Sequence, residues 1–174
     1  MILCLGTTPT LSRTMTFAKL SINDVNRASH VHQYASGKSV NAARVLHSLG
    51  ERCVATGIVG GETGAAFLRD LDESGVGHAF VQCDAPTRVC ITIIDESAGT
   101  ATELIEEPAA PGLRALSSLW EKLEALLPEA RVLVVSGSLA PGASDDSYAQ
   151  CVRLARSANV ETIIDATGMA LSRA

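Results

Sequence analysis

The sequence predicts an α/β fold, in which a mostly parallel β-sheet is covered by helices and carries a small β insertion. Continuously apolar runs at residues 2–5, 53–59 and 132–136 are typical of strands that are buried on both faces. Segments with apolar residues at helical spacing alternate with these runs, as in strands joined by crossover helices. Between residues 88 and 105 the alternation stops, and a short turn at residues 96–99 joins two strand-like runs. This region therefore predicts a β insertion that projects from the main sheet.

The individual elements follow from apolar spacing and from turn residues. Strands are predicted over residues 2–5, 13–17, 53–59, 78–83, 89–95, 100–105, 132–136 and 160–165. Helices are predicted over residues 40–49, from 62 or 63 to 71, 113–127 and 144–158. Gly50 and Pro128 end the first and third of these helices, and Ser144 is expected to cap the fourth.

Composition and charge argue against several classes of function. Hydrophobic residues make up 47% of the 174, which is typical of a soluble globular domain. The net charge of −5, with aromatic residues at only 3%, argues against nucleic acid as a partner. No apolar run approaches the roughly 20 residues that cross a membrane, and the first residues lack the basic region of a signal peptide. We therefore expect a cytoplasmic protein without a membrane partner.

The five cysteines are odd in number and widely scattered, and they form no C-x-x-C motif. This pattern favours small buried residues in a reducing compartment over disulfides. Neither they nor the four histidines show the spacing of metal ligands, so the sequence predicts no metal site.

The candidate binding region lies at the carboxyl ends of the predicted strands, where open parallel sheets bind their ligands. The strongest local motif is ASGKSVNAARVLHSLG at residues 35–50. Its turn and Lys38 open directly into a helix, so backbone N–H groups and the ammonium can hold a phosphate, while Asn41 can bond sugar hydroxyls. The alternative interpretation is an ordinary loop with a solvated lysine. The motif is not a P-loop, because Gln33 and His32 stand where that motif needs glycine.

Several motifs in order resemble those of the PfkB (ribokinase-like) carbohydrate kinases. Residues 35–50 match the family pattern G-G-K-G-x-N-x-A-x-x-L-x-x-L-G, and SGSLAPG at residues 136–142 is close to its S-G-S-L-P-P-G. The further matches are GIVGGETG at 57–64, TRVCITIIDE at 87–96, TELIEEP at 102–108 and IIDATGMAL at 163–171. The sequence is most similar to the 1-phosphofructokinase and tagatose-6-phosphate kinase branch. The fold that this resemblance implies is a three-layer sandwich with a small β-sheet lid.

The resemblance implies a role for each matching residue. Lys38 and Arg88 would bind the phosphate already on the sugar, and Ser138 would add a donor. Gly37 and Asn41 would contact sugar hydroxyls. Arg88 could instead be an ordinary exposed strand residue, and Ser138 a strand terminator. Asp165 either shapes the nucleotide side of the site or caps the turn that follows it.

Some positions depart from the family pattern. Ser12 stands where the family has the aspartate that binds a sugar hydroxyl, and Thr8 stands for its asparagine. Ser36 replaces a glycine, and Ala140 replaces a proline. Since serine hydrogen-bonds without charge, Ser12 is still expected to bind substrate, but with a weakened or altered sugar contact.

The family's N-x-x-E and G-A-G-D motifs are expected beyond Ala174. The aspartate of G-A-G-D is the family's base, so no catalytic residue is expected in this chain. The resemblance implies ATP and Mg²⁺ as cofactors, with their main binding motifs outside it. We expect residues 1–174 to form the N-terminal part of a kinase domain, with lid segments at about 11–34 and 86–107, the C-terminal part of the fold absent, and no activity alone.

Two other functions remain open at the level of sequence. The chain can be a sugar-phosphate-binding module without catalysis, or a dinucleotide-binding domain whose glycine turn is GIVGGETG. GIVGGETG gives only weak support to the dinucleotide-binding alternative, because the G-x-G-x-x-G spacing is missing. Self-association is also expected, as a homodimer or otherwise, through the lid or through an unpaired sheet edge at Ile163 and Ile164.

Overall fold

The computed structural model describes residues 1–174 as two sheets and five α-helices. The strands are β1 (Ile2–Gly6), β2 (Thr10–Phe17), β3 (His30–Ser36), β4 (Cys53–Gly60), β5 (Val81–Cys83), β6 (Val89–Asp95), β7 (Thr100–Ile105), β8 (Val132–Ser136) and β9 (Glu161–Asp165). The helices are α1 (Lys38–Ser48), α2 (Gly61–Glu73), α3 (Leu113–Leu126), α4 (Ser147–Ser157) and α5 (Gly168–Arg173), with a 3₁₀ turn at Leu127–Glu129.

The large sheet has five parallel strands in the order β5-β4-β1-β8-β9. Its central strand β1 is buried along its whole length, as its apolar sequence predicts. Two hydrophobic clusters cover its opposite faces. One contains Phe67 and Leu71 of α2, and the other contains Leu119 of α3 and Tyr148 of α4. The predicted three-layer α/β arrangement is therefore confirmed.

The small sheet has four strands in the order β3-β2-β6-β7. β2 pairs with β6 in parallel, whereas the outer pairs β2–β3 and β6–β7 are antiparallel. The predicted β insertion is thus present, but β2 begins at Thr10 and not at residue 13. β3 has no strong strand pattern, because its residues are mostly polar and exposed. Its conformation comes from pairing with β2, from Thr10 opposite Ser36 to Thr16 opposite His30.

Two further predicted elements begin three residues later in the structure than predicted. The strand predicted over residues 78–83 is reduced to β5, with a single bridge from His78 to Ala55. The helix predicted from Ser144 begins at Ser147, so Ser144 is not its N-cap. Instead, the Ser144 hydroxyl accepts the N–H of Asp146 at 3.2 Å, which closes a turn before the helix. A serine hydroxyl that bonds a nearby backbone N–H can either cap a helix or close a turn, so the sequence around Ser144 is compatible with both structures.

All five cysteines are free, and three of them, Cys4, Cys53 and Cys151, are buried. Burial raises the pKa of Cys4 and of Cys151 to about 12, which keeps both thiols neutral. They therefore pack as small apolar residues, as expected, whereas Cys83 and Cys90 are only half-buried, which differs from the expected burial. None of the helices has the length and apolar character needed to cross a membrane.

Arg44 of α1 and Asp70 of α2 form an ion pair, and both side chains also bond to Ala35 of β3, which joins the small sheet to the helical layer. The Asp70 carboxylate also accepts the N–H of Ala35 in β3 at 2.7 Å, and Arg44 Nε donates to the Ala35 carbonyl at 3.2 Å. Both charged side chains are about three-quarters buried. One carboxylate and one guanidinium therefore hold the end of β3 against two helices.

Replacing Asp70 with alanine is expected to lower the free energy of unfolding by about 1–3 kcal/mol, because the Arg44 charge and the Ala35 N–H lose their acceptor. Urea unfolding measures the change. Glu129→Ala is the matched control, since its pair with Arg52 is exposed. This control should cost less than about 1 kcal/mol. Equal losses in both variants would contradict a special role for Asp70.

Candidate functional site

One cleft brings together all six residues that the sequence predicts to bind substrate. It has a volume of about 590 Å³ and lies between the carboxyl ends of β1 and β8, the N-terminus of α1 and one face of the small sheet. The residues are Ser12, Gly37, Lys38, Asn41, Arg88 and Ser138. They come from four separate segments of the chain. Their role in binding stays a prediction, but the fold places them around one space.

The N-terminus of α1 opens into this cleft. Gly37 precedes the helix with a φ of 117°, and a Cβ there would lie 3.2 Å from the Pro9 Cα. This conformation and close approach favour glycine. No side chain caps the first turn, so its backbone N–H groups are available to an anion. Ser36 donates its hydroxyl to Asn41 Oδ1 at 3.2 Å, which orients the Asn41 amide at the rim.

Lys38, which lines the cleft, forms an ion pair with Asp165 at the end of β9. The distance from Nζ to Oδ2 is 3.3 Å, and both side chains are more than half exposed. Ser136 Oγ donates to the same carboxylate oxygen at 3.0 Å. The pKa of Asp165 lies below its ordinary value, first because of the Ser136 hydrogen bond and then because of Lys38. Asp165 therefore holds the ammonium at the mouth of the cleft.

Arg88 also lines the cleft and has no ion-pair partner. Its terminal nitrogens donate to the carbonyls of Glu106 at 3.3 Å and Thr8 at 3.2 Å. Its Nε is buried without a hydrogen-bond partner. The nearby Glu106 carboxylate instead accepts the Val89 N–H at 2.8 Å. Arg88 is therefore anchored by neutral groups, and its positive charge is not neutralised by the protein.

Ser138 lies in the loop that follows β8, and two residues outside the predicted set hold this loop. Thr7 donates its hydroxyl to the Ser138 carbonyl at 2.9 Å and accepts the Ala140 N–H at 3.0 Å. Tyr148 of α4 donates to the Gly137 carbonyl at 2.9 Å. These contacts were not predicted, because Thr7 lies more than 130 residues from the loop and no spacing rule links Gly137 to Tyr148.

The small sheet contributes further cleft residues that sequence reasoning missed. Tyr34 lies opposite Ser12 in the β2–β3 pair, and Cys90 lies opposite Ser12 in the β2–β6 pair. Thr92 and Glu103 are cross-strand partners one step along the same face. Alternate residues of a strand lie on the same face of its sheet, so the sequence could have identified these residues if the pairing register of β2, β3, β6 and β7 had been known.

The glycine turn of GIVGGETG is covered and does not open onto a ligand space. A Cβ on Gly60 would lie 2.2 Å from the Cys83 carbonyl oxygen and 2.3 Å from that of Ala85. Thr87 Oγ1 accepts the Gly60 N–H at 3.0 Å. The chain before β6 therefore fills the place where a dinucleotide pyrophosphate would lie, which excludes the dinucleotide-binding alternative.

An α/β sheet with a small β-sheet over its ligand edge, and a cationic cleft between them, is the architecture of a class of small-molecule kinases. The chain matches the model of the pfkB family carbohydrate kinases over residues 1–173. It belongs to this family, and the resemblance drawn from its motifs is confirmed.

Solved structures give the same result. The chain has 28% identity and a TM-score of 0.91 with a possible 1-phosphofructokinase from Thermotoga maritima. It has 26% identity and a TM-score of 0.88 with Escherichia coli phosphofructokinase-2 in complex with fructose-6-phosphate. A tetrameric inhibited form of the E. coli protein is similar at 26% identity and a TM-score of 0.89. Each match covers 99% of this chain but only 55–56% of the other, so the chain spans about half of their length.

The hydrogen bond from Ser136 predicts a measurable shift in the titration of Asp165. In Ser136→Ala the pKa of Asp165 should rise toward its ordinary value, because the carboxylate loses its first stabilising donor. Because folding lowers the pKa of Asp165, the ion pair between Lys38 and Asp165 persists at pH values above that pKa. The pair is lost as the pH falls through that pKa.

Carboxyl-detected NMR titration measures this change. Asp95 is the internal control, because its pKa is lowered mainly by its own hydrogen bond from Ser97. A Ser136→Ala variant in which both carboxyls titrate as in the unmodified chain would contradict the assigned cause.

Proposed function

We propose that this chain is the sugar-phosphate-binding part of an ATP-dependent carbohydrate kinase. Its substrate is a phosphorylated hexose of the fructose 1-phosphate, fructose 6-phosphate or tagatose 6-phosphate type. The observation that supports this most directly is the placement of Lys38, Arg88 and the uncapped start of α1 around one cleft. The fructose-6-phosphate complex of the E. coli relative supports a substrate of this kind.

The electrostatics of the cleft suit a substrate that already carries a phosphate. A phosphate between Lys38 and Arg88 would accept charge-assisted hydrogen bonds from both, together with N–H groups of the first turn of α1. Arg88 is ready for this role, because only carbonyl oxygens hold its guanidinium. Lys38 would turn from Asp165 toward the phosphate or bridge the two. The Ser138 hydroxyl completes the proposed set of donors.

The rest of the cleft suits the hydroxyl groups of a sugar. The volume of about 590 Å³ is in the usual range of small-molecule sites. Asn41 supplies an amide, Gly37 allows close backbone approach, and Ser12 supplies a hydroxyl at the small sheet. Because Ser12 carries no charge, the proposal assigns it a weaker sugar contact than an aspartate would make.

The proposal assigns the ATP and Mg²⁺ sites to parts of the fold that these 174 residues do not include. No three histidine, cysteine, aspartate or glutamate side chains lie close enough together here to hold a metal ion. These residues therefore offer no dedicated metal cage. The role proposed for this chain is to bind and orient the sugar phosphate, while a base and the nucleotide come from elsewhere.

A non-catalytic sugar-phosphate-binding module is the second candidate. It rests on the same cleft and on the absence of any proposed base among its residues. The two candidates differ in whether bound sugar phosphate is turned over when the remaining parts of a kinase are present.

Self-association is also part of the proposal. β9 pairs only with β8 and forms an edge of the large sheet, on which Ile163 is exposed. The small sheet exposes Val31, Leu104 and Ile105 on its edge strands. Unpaired strands with exposed apolar residues favour pairing with another chain. We propose that one of these edges is the contact.

Lys38→Ala and Arg88→Ala are each expected to weaken fructose 6-phosphate binding by about 10- to 100-fold, the loss expected for a hydrogen bond to a charged group. Isothermal titration calorimetry measures the Kd. Arg52→Ala is the matched control, because this exposed arginine pairs with Glu129 away from the cleft. Unphosphorylated fructose should bind more weakly and be insensitive to both substitutions. Equal affinity for fructose and its phosphate would contradict a phosphate site.

A coupled ADP-release assay with the three sugar phosphates tests whether catalysis needs residues outside this chain. The chain alone is expected to show no turnover, because the proposal places the base and the ATP site elsewhere. Turnover that is abolished by Lys38→Ala would show that catalysis is complete within these 174 residues. That result would overturn the assignment.

A further inference from the structure

We propose that Thr7, supported by Tyr148, is a positioning residue that fixes Ser138 in the cleft. Thr7 and Tyr148 hold the loop at residues 137–140 from both sides, so that the loop presents its serine in one geometry. The inference rests on the proposed function for the meaning of Ser138. Its structural part, the fixing of the loop, stands on the contacts alone.

Thr7 connects β1 to the loop with a single hydroxyl. Its Oγ1 donates to the Ser138 carbonyl at 2.9 Å and accepts the Ala140 N–H at 3.0 Å. Thr7 is 4% exposed, so water does not compete for these bonds. A hydroxyl has one proton to donate and lone pairs to accept, and here both functions are used on the two sides of Leu139. The Thr7 hydroxyl therefore fixes the backbone on both sides of Leu139, at the Ser138 carbonyl and at the Ala140 N–H.

Tyr148 holds the other side of the loop. Its ring is fully buried, and its hydroxyl donates to the Gly137 carbonyl at 2.9 Å. Burial raises the pKa of Tyr148 to about 12, so the phenol keeps its proton and remains a donor. The Gly137 N–H donates to the Asp165 carbonyl at 3.0 Å. The residue before Ser138 is thus fixed at both its N–H and its carbonyl.

The loop needs these side chains because no regular structure holds it. Residues 137–140 lie between β8 and α4 and belong to no strand or helix. Ala140 is 4% exposed, and its N–H has Thr7 as its acceptor. A buried N–H without an acceptor is costly, so loss of the Thr7 hydroxyl favours a rearranged loop. Such a rearrangement would move Ser138 away from Lys38 and Arg88 without changing either cation.

Thr7→Val tests the inference, because valine keeps the shape and removes the hydroxyl. It is expected to weaken fructose 6-phosphate binding about tenfold, as for one lost hydrogen bond with an unpaired buried donor. Thr7→Ser should restore the Kd to within about twofold, because the hydroxyl returns. Tyr148→Phe should weaken binding in the same direction. Calorimetric Kd values that match the unmodified chain in both Thr7→Val and Tyr148→Phe would overturn the proposal.

Thr56→Val is the matched control for a merely structural effect. Thr56 is also fully buried and donates its hydroxyl to a backbone carbonyl, that of Ala79 at 2.7 Å, but it lies outside the cleft. Its loss should lower stability in urea unfolding while leaving the Kd unchanged. If Thr56→Val weakens binding as much as Thr7→Val, the effect is general destabilisation and the positioning role is wrong.

A double-mutant cycle isolates the bond between Thr7 and Ala140. Ala140→Pro removes the N–H that Thr7 accepts, so Thr7→Val should cost less in that background than in the unmodified chain. The remaining cost reports the bond to Ser138. Strictly additive effects on the Kd would show that the two residues act independently, against the proposal.

Amide hydrogen exchange separates this inference from the proposed function. If the unmodified chain binds none of the three sugar phosphates, the proposed function fails, but the fixing of the loop is still measurable. Thr7→Val should then accelerate exchange of the Ala140 amide about tenfold or more, and Thr7→Ser should not. Unchanged exchange in Thr7→Val would overturn the structural part as well.

Discussion

The cleft depends on the short segment at residues 7–10 that leads from the large sheet into the small one. Its hydrogen bonds reach two sides of the cleft, the loop after β8 and the segment before β6. Thr7 and Thr8 both donate to the Ser138 carbonyl, the Thr8 carbonyl accepts from Arg88, and Thr10 Oγ1 donates to the Arg88 carbonyl. Pro9 packs against Gly37 at the start of α1. A displacement of this segment would therefore move the serine, the arginine and the helix start together.

The two cations of the cleft are held in different ways, and the difference suits anion binding. Arg88 is anchored by carbonyl oxygens and keeps its full charge toward the cleft. Lys38 is paired with Asp165, but the pair is exposed, and exposed pairs are weak. A doubly charged phosphate can compete with one carboxylate for the ammonium, and Ser136 remains to satisfy Asp165. The arrangement keeps the lysine near the cleft without locking it there.

The fold class and the turn before α1 were predicted from local pattern, whereas Ser12, Arg88 and Ser138 were named from the family resemblance. Buried parallel strands read as continuous apolar runs, and the Gly37 turn before an amphipathic helix is a local pattern. Both are visible without knowledge of distant contacts. β3 was not visible, because its polar residues become a strand only by pairing with β2. Thr7, Tyr148 and Asp165 were missed or left open as site residues, because their partners lie on other segments and no spacing rule connects them. Contacts set by tertiary register cannot be obtained from local pattern alone.

The most direct test of the account is an NMR titration of the ¹⁵N-labelled chain with fructose 6-phosphate. The amide signals of Lys38, Ser39 and Val40 at the start of α1, together with those of Arg88 and Ser138, should shift in one saturable transition. Fructose without phosphate should shift the Lys38, Ser39 and Val40 signals far less at the same concentration. Shifts confined to another surface, such as the β9 edge, or no shifts at millimolar ligand, would contradict the claim that this cleft binds a sugar phosphate.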